Sequence, residues 1–237
     1  MNVDEAFGQR LKTHVSTFAL PLVTLTYAQS LDGCIAIKRD QQLKLSGDES
    51  QRMTHHLRAL HDAILVGIGT VLADDPRLSV RLIDGKNPQP IVVDTHLRFP
   101  LNARLLREPI APLWIVADPE ADPKIQAGLI AAGAEIIPIP VSSDNRVNLP
   151  LMLQYLFERG IRSLMVEGGA RIITSFLQEH LADWAVLTIA PRYVGGLNVI
   201  DGEMLRENAN LPQLNHTQYA QMGDDIVVWG DLKSKVL

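Results

Sequence analysis

The chain has 237 residues, 46% hydrophobic and 21% charged, with a formal net charge of −5 and a single cysteine, Cys34. That is enough apolar material for one large core, and an acidic chain with scattered basic residues is not built for nucleic acid or an anionic membrane. One thiol excludes an internal disulfide and a multi-cysteine zinc site and suits a reducing compartment, here the cytoplasm.

Residues 1–20 read as an N-terminal arm, helical between Val3 and Thr17, ahead of a domain over 21–237. The N-terminus is polar and mixed and lacks the apolar core of a signal segment, and the apolar runs are shorter than a membrane span. A first strand is predicted over 22–27, a turn at Asp32-Gly33 and a second strand over 34–37. Ser46 or Asp48 is placed to cap a helix over about 48–61. The run 63–66 reads as a buried strand, and Pro88 and Pro90 bracket a loop leading to a strand over 91–94. Further strands are predicted over 113–116, 135–139, 163–166, 184–190 and 226–229, with another near 216–222. Helices are predicted over 122–132, 150–159 and from Gly169 to about His180; Gly133 and Gly160 supply C-terminal stops for the first two. Alternating strands and helices in the middle imply parallel strands with crossover helices, and the closely spaced strands at the end imply an antiparallel edge. The fold class is therefore a single three-layer α/β/α domain around a mixed sheet.

Two junctions carry the chemistry. The first follows the strand at 63–66 and reads Gly67-Ile68-Gly69-Thr70, with Asp74, Asp75, Pro76 and Arg81 downstream. Its glycines admit close backbone approach, Thr70 can bond a phosphate or ribose, and the acids and Arg81 can orient a polar substrate. Asp74 is assigned to a ligand and Asp75 to a turn; no third ligand stands at metal spacing, and no metal is expected. The second is Glu167-Gly168-Gly169-Ala170-Arg171-Ile172, an acid and two glycines between a strand and a helix, where helix amides can take a phosphate. It is not the Gly-x-Gly-x-x-Gly dinucleotide fingerprint. Glu167 stands at a strand's carboxyl end, where ligands bind open α/β sheets. Thr95 and Arg98 can hold a phosphate, including the 2′-phosphate of NADP, and Arg58 a substrate phosphate. His55, His56 and His61 are not spaced for zinc and are assigned solvated or packed roles, and Cys34 a small core position.

Together the segments 23–33, 53–58, 64–81, 91–95 and 166–170 resemble the riboflavin-pathway reductase family, a group with a dihydrofolate-reductase-like fold. The resemblance implies NADPH as cofactor, a homodimer, and reduction of a ribosylaminopyrimidine 5′-phosphate to its ribityl form. It places Gln29, Thr70, Asp74, Thr95 and the 168–172 turn (Gly168, Gly169, Ala170, Arg171, Ile172) at the cofactor, where the reading of the residues adds Arg98. It places Arg58, Leu78, Arg81 and Glu167 at the substrate; the reading of the residues adds Ser46 there and assigns catalysis to Glu167. Thr26 stands where bacterial bifunctional members often carry lysine, the 40–43 segment departs from their Gly-acid-Ser pattern, and no zinc-deaminase motif accompanies it. Residues 25–30 are more similar to the stand-alone fungal and archaeal type, which acts before deamination on the diaminopyrimidinone. Reduction after deamination, a related pteridine or heterocycle reductase, and a non-catalytic nucleotide-binding protein are the alternatives.

Overall fold

The computed structural model of the protein describes residues 2–38, 41, 43–200 and 211–232; Asp40 and Gln42 of the departing segment, and residues 233–237 of the expected domain, lie outside them. The run 22–27 becomes the longer strand β1 (Leu22–Ser30), which sits inside a nine-stranded sheet rather than at its edge. Its parallel neighbours come from the distant C-terminal half: β7 (Ser163–Glu167) on one side and β8 (Trp184–Ala190) on the other. Beyond β7 the parallel order continues through β3 (Ala63–Gly67), β4 (Gln89–Val93), β5 (Leu113–Ala117) and β6 (Ala134–Pro138). Beyond β8 the sheet turns antiparallel through β11 (Asp225–Leu232) and β10 (Leu214–Met222), as the strand spacing predicts. The expected second strand is only β2 (Cys34–Ala36); it pairs outside this sheet with β9 (Leu197–Asn198). Pro90, read as part of a loop, lies inside β4 at its second position, near the strand start where a missing N–H is tolerated.

Helices cover both faces. One face receives α1 (Val3–Thr17) and α2 (Asp48–Leu60), with Phe7, Met53 and Leu57 packed on Met165 and Trp184. The same face receives α3 (Ile68–Asp74), α4 (Arg104–Arg107) and α5 (Pro123–Ala131) over Ile64, Val92 and Ile115. The other face receives α6 (Leu149–Glu158) and α7 (Ala170–Gln178) over Leu25, Leu65 and Val166. The predicted N-terminal helix has the expected bounds and is closed by a capping box of Asn2 and Glu5. Its apolar side is part of the core: Val3 and Phe7 are 3% and 1% exposed. Neither Ser46 nor Asp48 caps α2. Gly47 holds the cap position, and the N–H of Gly47 and the hydroxyl of Ser50 both reach the carboxylate of Asp225.

His61 closes α2 from inside the protein. It stacks on Phe7 with ring centroids 4.2 Å apart. Its Nδ1 lies 2.6 Å from the Leu57 carbonyl and its Nε2 2.9 Å from Thr24 Oγ1. The carbonyl only accepts, so Nδ1 carries the hydrogen and Nε2 accepts from the threonine. Burial, opposed by the Leu57 carbonyl and by Asp62 and Glu167, holds this ring to a pKa of about 4 against an ordinary 6.5. Between those values the unfolded chain binds more protons, so stability is full above pH 6.5 and falls as pH drops toward 4. We expect a loss of about 2 kcal/mol by pH 5 from this group, with His61→Gln flattening the dependence. Denaturant titrations from pH 7.5 to 5 measure it; an unchanged slope in the variant would refute the assignment.

Candidate active site

The site follows from where the connections leave the sheet. β3 and β7 lie side by side, yet β3 feeds α3 on one face and β7 feeds α7 on the other. Adjacent parallel strands whose carboxyl ends diverge to opposite faces open a crevice, and this is where α/β sheets hold ligands. The two junctions singled out in the sequence form its walls. Gly168 and Gly169 have φ of +67° and +84°, a left-handed backbone that side chains resist. A Cβ on Gly169 would lie 3.0 Å from the Thr70 hydroxyl, so Thr70 stands directly over the turn. No side chain among the described residues caps α7. The first amides of the helix, from Ala170, Arg171 and Ile172, have no intrahelical acceptor and face the helix N-terminal approach. Ile172 packs against Gly67, where a Cβ would sit 3.6 Å from its own.

Thr70 does not lie in a loop. The Gly-x-Gly-Thr stretch begins α3, which the glycines concealed, and Asp74 follows Thr70 by one turn on the same face of that helix. Burial raises the pKa of Asp74. Asp75 closes α3 in the left-handed conformation and accepts the Arg104 N–H at 2.8 Å, so it joins α3 to α4. Thr95 follows β4 at the same edge of the sheet, and exposed Arg98 reaches back to buried Asp94 at 3.6 Å. Burial raises the Asp94 pKa against the pull of Arg98. Gln29 lies near the end of β1, on the opposite face of the sheet from Glu167.

Glu167 and Arg58 meet face to face. Arg58 Nε donates to one carboxylate oxygen and Nη2 to the other, each at 2.7 Å, and the side chains are only 15% and 13% exposed. Arg58 Nη1 donates to the Ser79 carbonyl at 3.0 Å. Burial works to lower the Arg58 pKa, and the adjacent Glu167 carboxylate overcomes it and raises it. The sequence reading gave Arg58 to a substrate phosphate and Glu167 to substrate binding and catalysis as separate groups; the structure binds them into one bidentate unit. Two guanidinium hydrogens and the outer carboxylate lone pairs remain for a ligand. Beside Glu167 across the sheet, Thr26 is 4% exposed and its hydroxyl has no partner among the described residues.

Leu78 is buried with φ +52° and turns the chain so that the Ser79 carbonyl reaches Arg58, with Arg81 beside Ser79. Arg81 Nη1 donates to the Ser79 hydroxyl at 3.0 Å and its carbonyl at 3.3 Å. No carboxylate pairs with Arg81 among the described residues, and after burial the charges of Arg58 and Arg77 are what lower its pKa. That is a surplus of positive charge suited to an anion. Ser46 is not brought to this cluster. It stands before the start of α2 while Arg58 lies in its last turn, so about 15 Å of helix at 1.5 Å per residue separates them. His55, given only a packed or solvated role, is buried at the site and accepts the Arg81 N–H at 2.9 Å. Ser79 was not singled out; its carbonyl is a backbone group, and only the fold reveals it.

Amides and a hydroxyl on one wall, and on the other one arginine locked to a carboxylate with a second arginine beside it, suit a nucleotide-dependent reductase acting on a small phosphorylated molecule. Residues 21–228 match the RibD C-terminal domain family, and the chain belongs to it. It is similar to the 2,5-diamino-6-ribosylamino-4(3H)-pyrimidinone 5′-phosphate reductase of Archaeoglobus fulgidus, 37% identical over 207 residues covering 82% of this chain and 92% of that protein. The reductase of the same name from Methanothermobacter thermautotrophicus is 40% identical over 214 residues, covering 88% and 96%. The structure of the Saccharomyces cerevisiae riboflavin biosynthesis reductase Rib7 superposes with a TM-score of 0.74 and 28% identity, over 93% of this chain and 94% of that one.

The ion pair sets a test of its own. Glu167→Leu leaves the Arg58 charge buried and unpaired, which costs about 3–5 kcal/mol. The double variant Arg58→Met, Glu167→Leu removes both charges and recovers most of that stability while remaining inactive. Thermal unfolding of the two variants measures it; equal stability of single and double variants would show that the pair is not coupled.

Proposed function

We propose that this chain uses NADPH to reduce the ribosyl group of 2,5-diamino-6-ribosylamino-4(3H)-pyrimidinone 5′-phosphate to the ribityl chain. The observation that carries the reading is the shared crevice: the uncapped start of α7 under Thr70 lies one β-strand junction away from the Arg58–Glu167 pair. The residues suit the cofactor. Two positive-φ glycines clear the backbone for a pyrophosphate on the α7 amides, Thr70 and Asp74 line the opposite wall, and Thr95 with Arg98 suits a 2′-phosphate. Gln29 completes the set from β1.

When bound, the nicotinamide supplies the hydride to the sugar carbon C1′. The chain's part is to hold the opened sugar and manage one proton. Arg81 and the free hydrogens of Arg58 take the phosphate, and the outer lone pairs of Glu167 take sugar hydroxyls. With both oxygens already accepting from Arg58, Glu167 is fixed in place before substrate arrives, which suits orientation of the reacting carbon. Thr26 offers the nearby unclaimed hydroxyl as a partner for the migrating proton or a sugar oxygen.

NADPH oxidation assayed with the diaminopyrimidinone phosphate and with 5-amino-6-(5-phosphoribosylamino)uracil side by side tests the reading. Turnover is expected with both components present and preferred on the first; turnover only on the second would place reduction after deamination, and none on either would reject the reading. Gly169→Val puts a β-branched side chain at φ +84° against Thr70. Its NADPH dissociation constant should rise at least about tenfold, worth about 1.4 kcal/mol, with the fold retained; unchanged affinity in a folded variant would remove the turn from the cofactor site.

We further propose a cytoplasmic homodimer joined through the antiparallel end of the sheet. Tyr219 and Ile226 are 77% and 44% exposed on neighbouring strands, and β10 is an edge strand. Sedimentation at micromolar concentration should give a dimer and Tyr219→Lys a monomer; a monomeric parent protein would overturn this.

A further inference from the structure

We propose that His55 is a positioning residue: its ring fixes the backbone of Arg81 and so aims that guanidinium at the phosphate of the substrate. The proposal rests on the reading of Arg58 and Arg81 as the seat of a phosphorylated substrate, and deepens it.

Arg81 lies in an irregular segment, 75–88, that pairs with no strand among the described residues. Such a segment holds a side chain in place only if its backbone is tied down. Each tie is visible. Leu78 is sunk in the core. The Ser79 carbonyl takes Arg58, and the Val80 N–H donates to Asn87 Oδ1 at 2.7 Å. The Arg81 N–H donates to His55 Nδ1 at 2.9 Å. Arg81 is thus held at both ends, by His55 at its backbone and by Ser79 at its guanidinium.

The chemistry explains why the acceptor is an imidazole. A buried acceptor next to Arg58 and Arg81 would ordinarily be a carboxylate. A carboxylate there would pair with one of the arginines and cancel the positive field that an anion needs. A neutral imidazole accepts the N–H and adds no negative charge. Because Nδ1 accepts, the ring hydrogen is on Nε2. Burial, with Arg58 and Arg81 adding to it, lowers the ring's pKa to about 4, so it stays neutral at working pH. His55 is 4% exposed on α2, one turn before Ala59 and three residues before Arg58, so one helix delivers both the ion-paired arginine and the support for the other.

The test uses the full chain and four proteins: the parent, His55→Ala, His55→Asn and His55→Asp. Asparagine restores a neutral acceptor close to the Nδ1 position; aspartate restores an acceptor but brings charge. Two readouts are taken, steady-state kinetics with the diaminopyrimidinone phosphate and calorimetric binding of ribose 5-phosphate. For His55→Ala, the substrate KM should rise about tenfold or more while kcat and the KM for NADPH stay within about twofold. His55→Asn should return KM most of the way. His55→Asp should bind ribose 5-phosphate more weakly than His55→Ala. A fall in kcat at constant KM, or no change in either readout, would overturn the proposal, as would His55→Asn behaving like His55→Ala. If His55→Ala does not fold, the Asn and Asp variants, alike in size and different in charge, still decide it. If the parent turns over neither pyrimidine phosphate, the functional reading fails while the ribose 5-phosphate series continues to read His55.

Discussion

A single bidentate ion pair organises the carboxyl end of this sheet. Arg58 comes from α2, which packs on one face, and Glu167 from the tip of β7 inside the sheet. With both side chains largely out of water, neither charge is tolerable alone, and the pair fixes the helix against the strand. The third arginine donor extends the constraint to the Ser79 carbonyl, and from Ser79 it reaches the Arg81 side chain. The outcome is a chain of bonds in which each polar group is placed by another. Preorganisation of this kind spares the enzyme the reorientation of charged groups when a charged ligand enters.

The second wall has a different physical basis. Where α7 begins, the backbone lies bare, and what distinguishes it is the absence of side chains: two glycines in the left-handed region and no side-chain cap among the described residues. The two walls are brought together by topology, since β3 and β7 are neighbours whose following helices depart to opposite faces. The ion pair and the bare helix start thus stand on neighbouring elements at the switch point.

Much of this was legible in sequence because it depends on local chemistry. Apolar runs bounded by glycine and proline marked nearly every strand of the large sheet, and Gly133 and Gly160 marked helix ends at positive φ. The antiparallel end was readable from strand spacing alone. What was hidden had long-range causes. Glycines at 67 and 69 argue against a helix, yet α3 forms because Ile68 and Val71 have a core to enter. Gly47 caps α2 with help from Asp225, 178 residues away, so a local search for a capping side chain settled on Ser46 or Asp48. Glu167 and Arg58 were each assigned to the site, but the bond between them spans 109 residues. His55 was passed over because its significance lies in accepting a backbone N–H, which leaves no trace in residue type.

The position of β1 has a consequence for how the chain is made. It comes before every other strand of this sheet in chain order, but its two neighbours, β7 and β8, begin at Ser163 and Trp184. Until those segments leave the ribosome, the β-prone stretch at 22–30 has no native partner on either edge. The helical α1 preceding it can shield one side, since Phe7 and Leu22 belong to the same apolar cluster. Such a topology has high contact order, so the centre of the sheet closes late and folding is slow relative to domains built from local pairings. An unfinished chain therefore exposes an interior strand of its sheet longest, and translation rate and chaperone access bear on its yield.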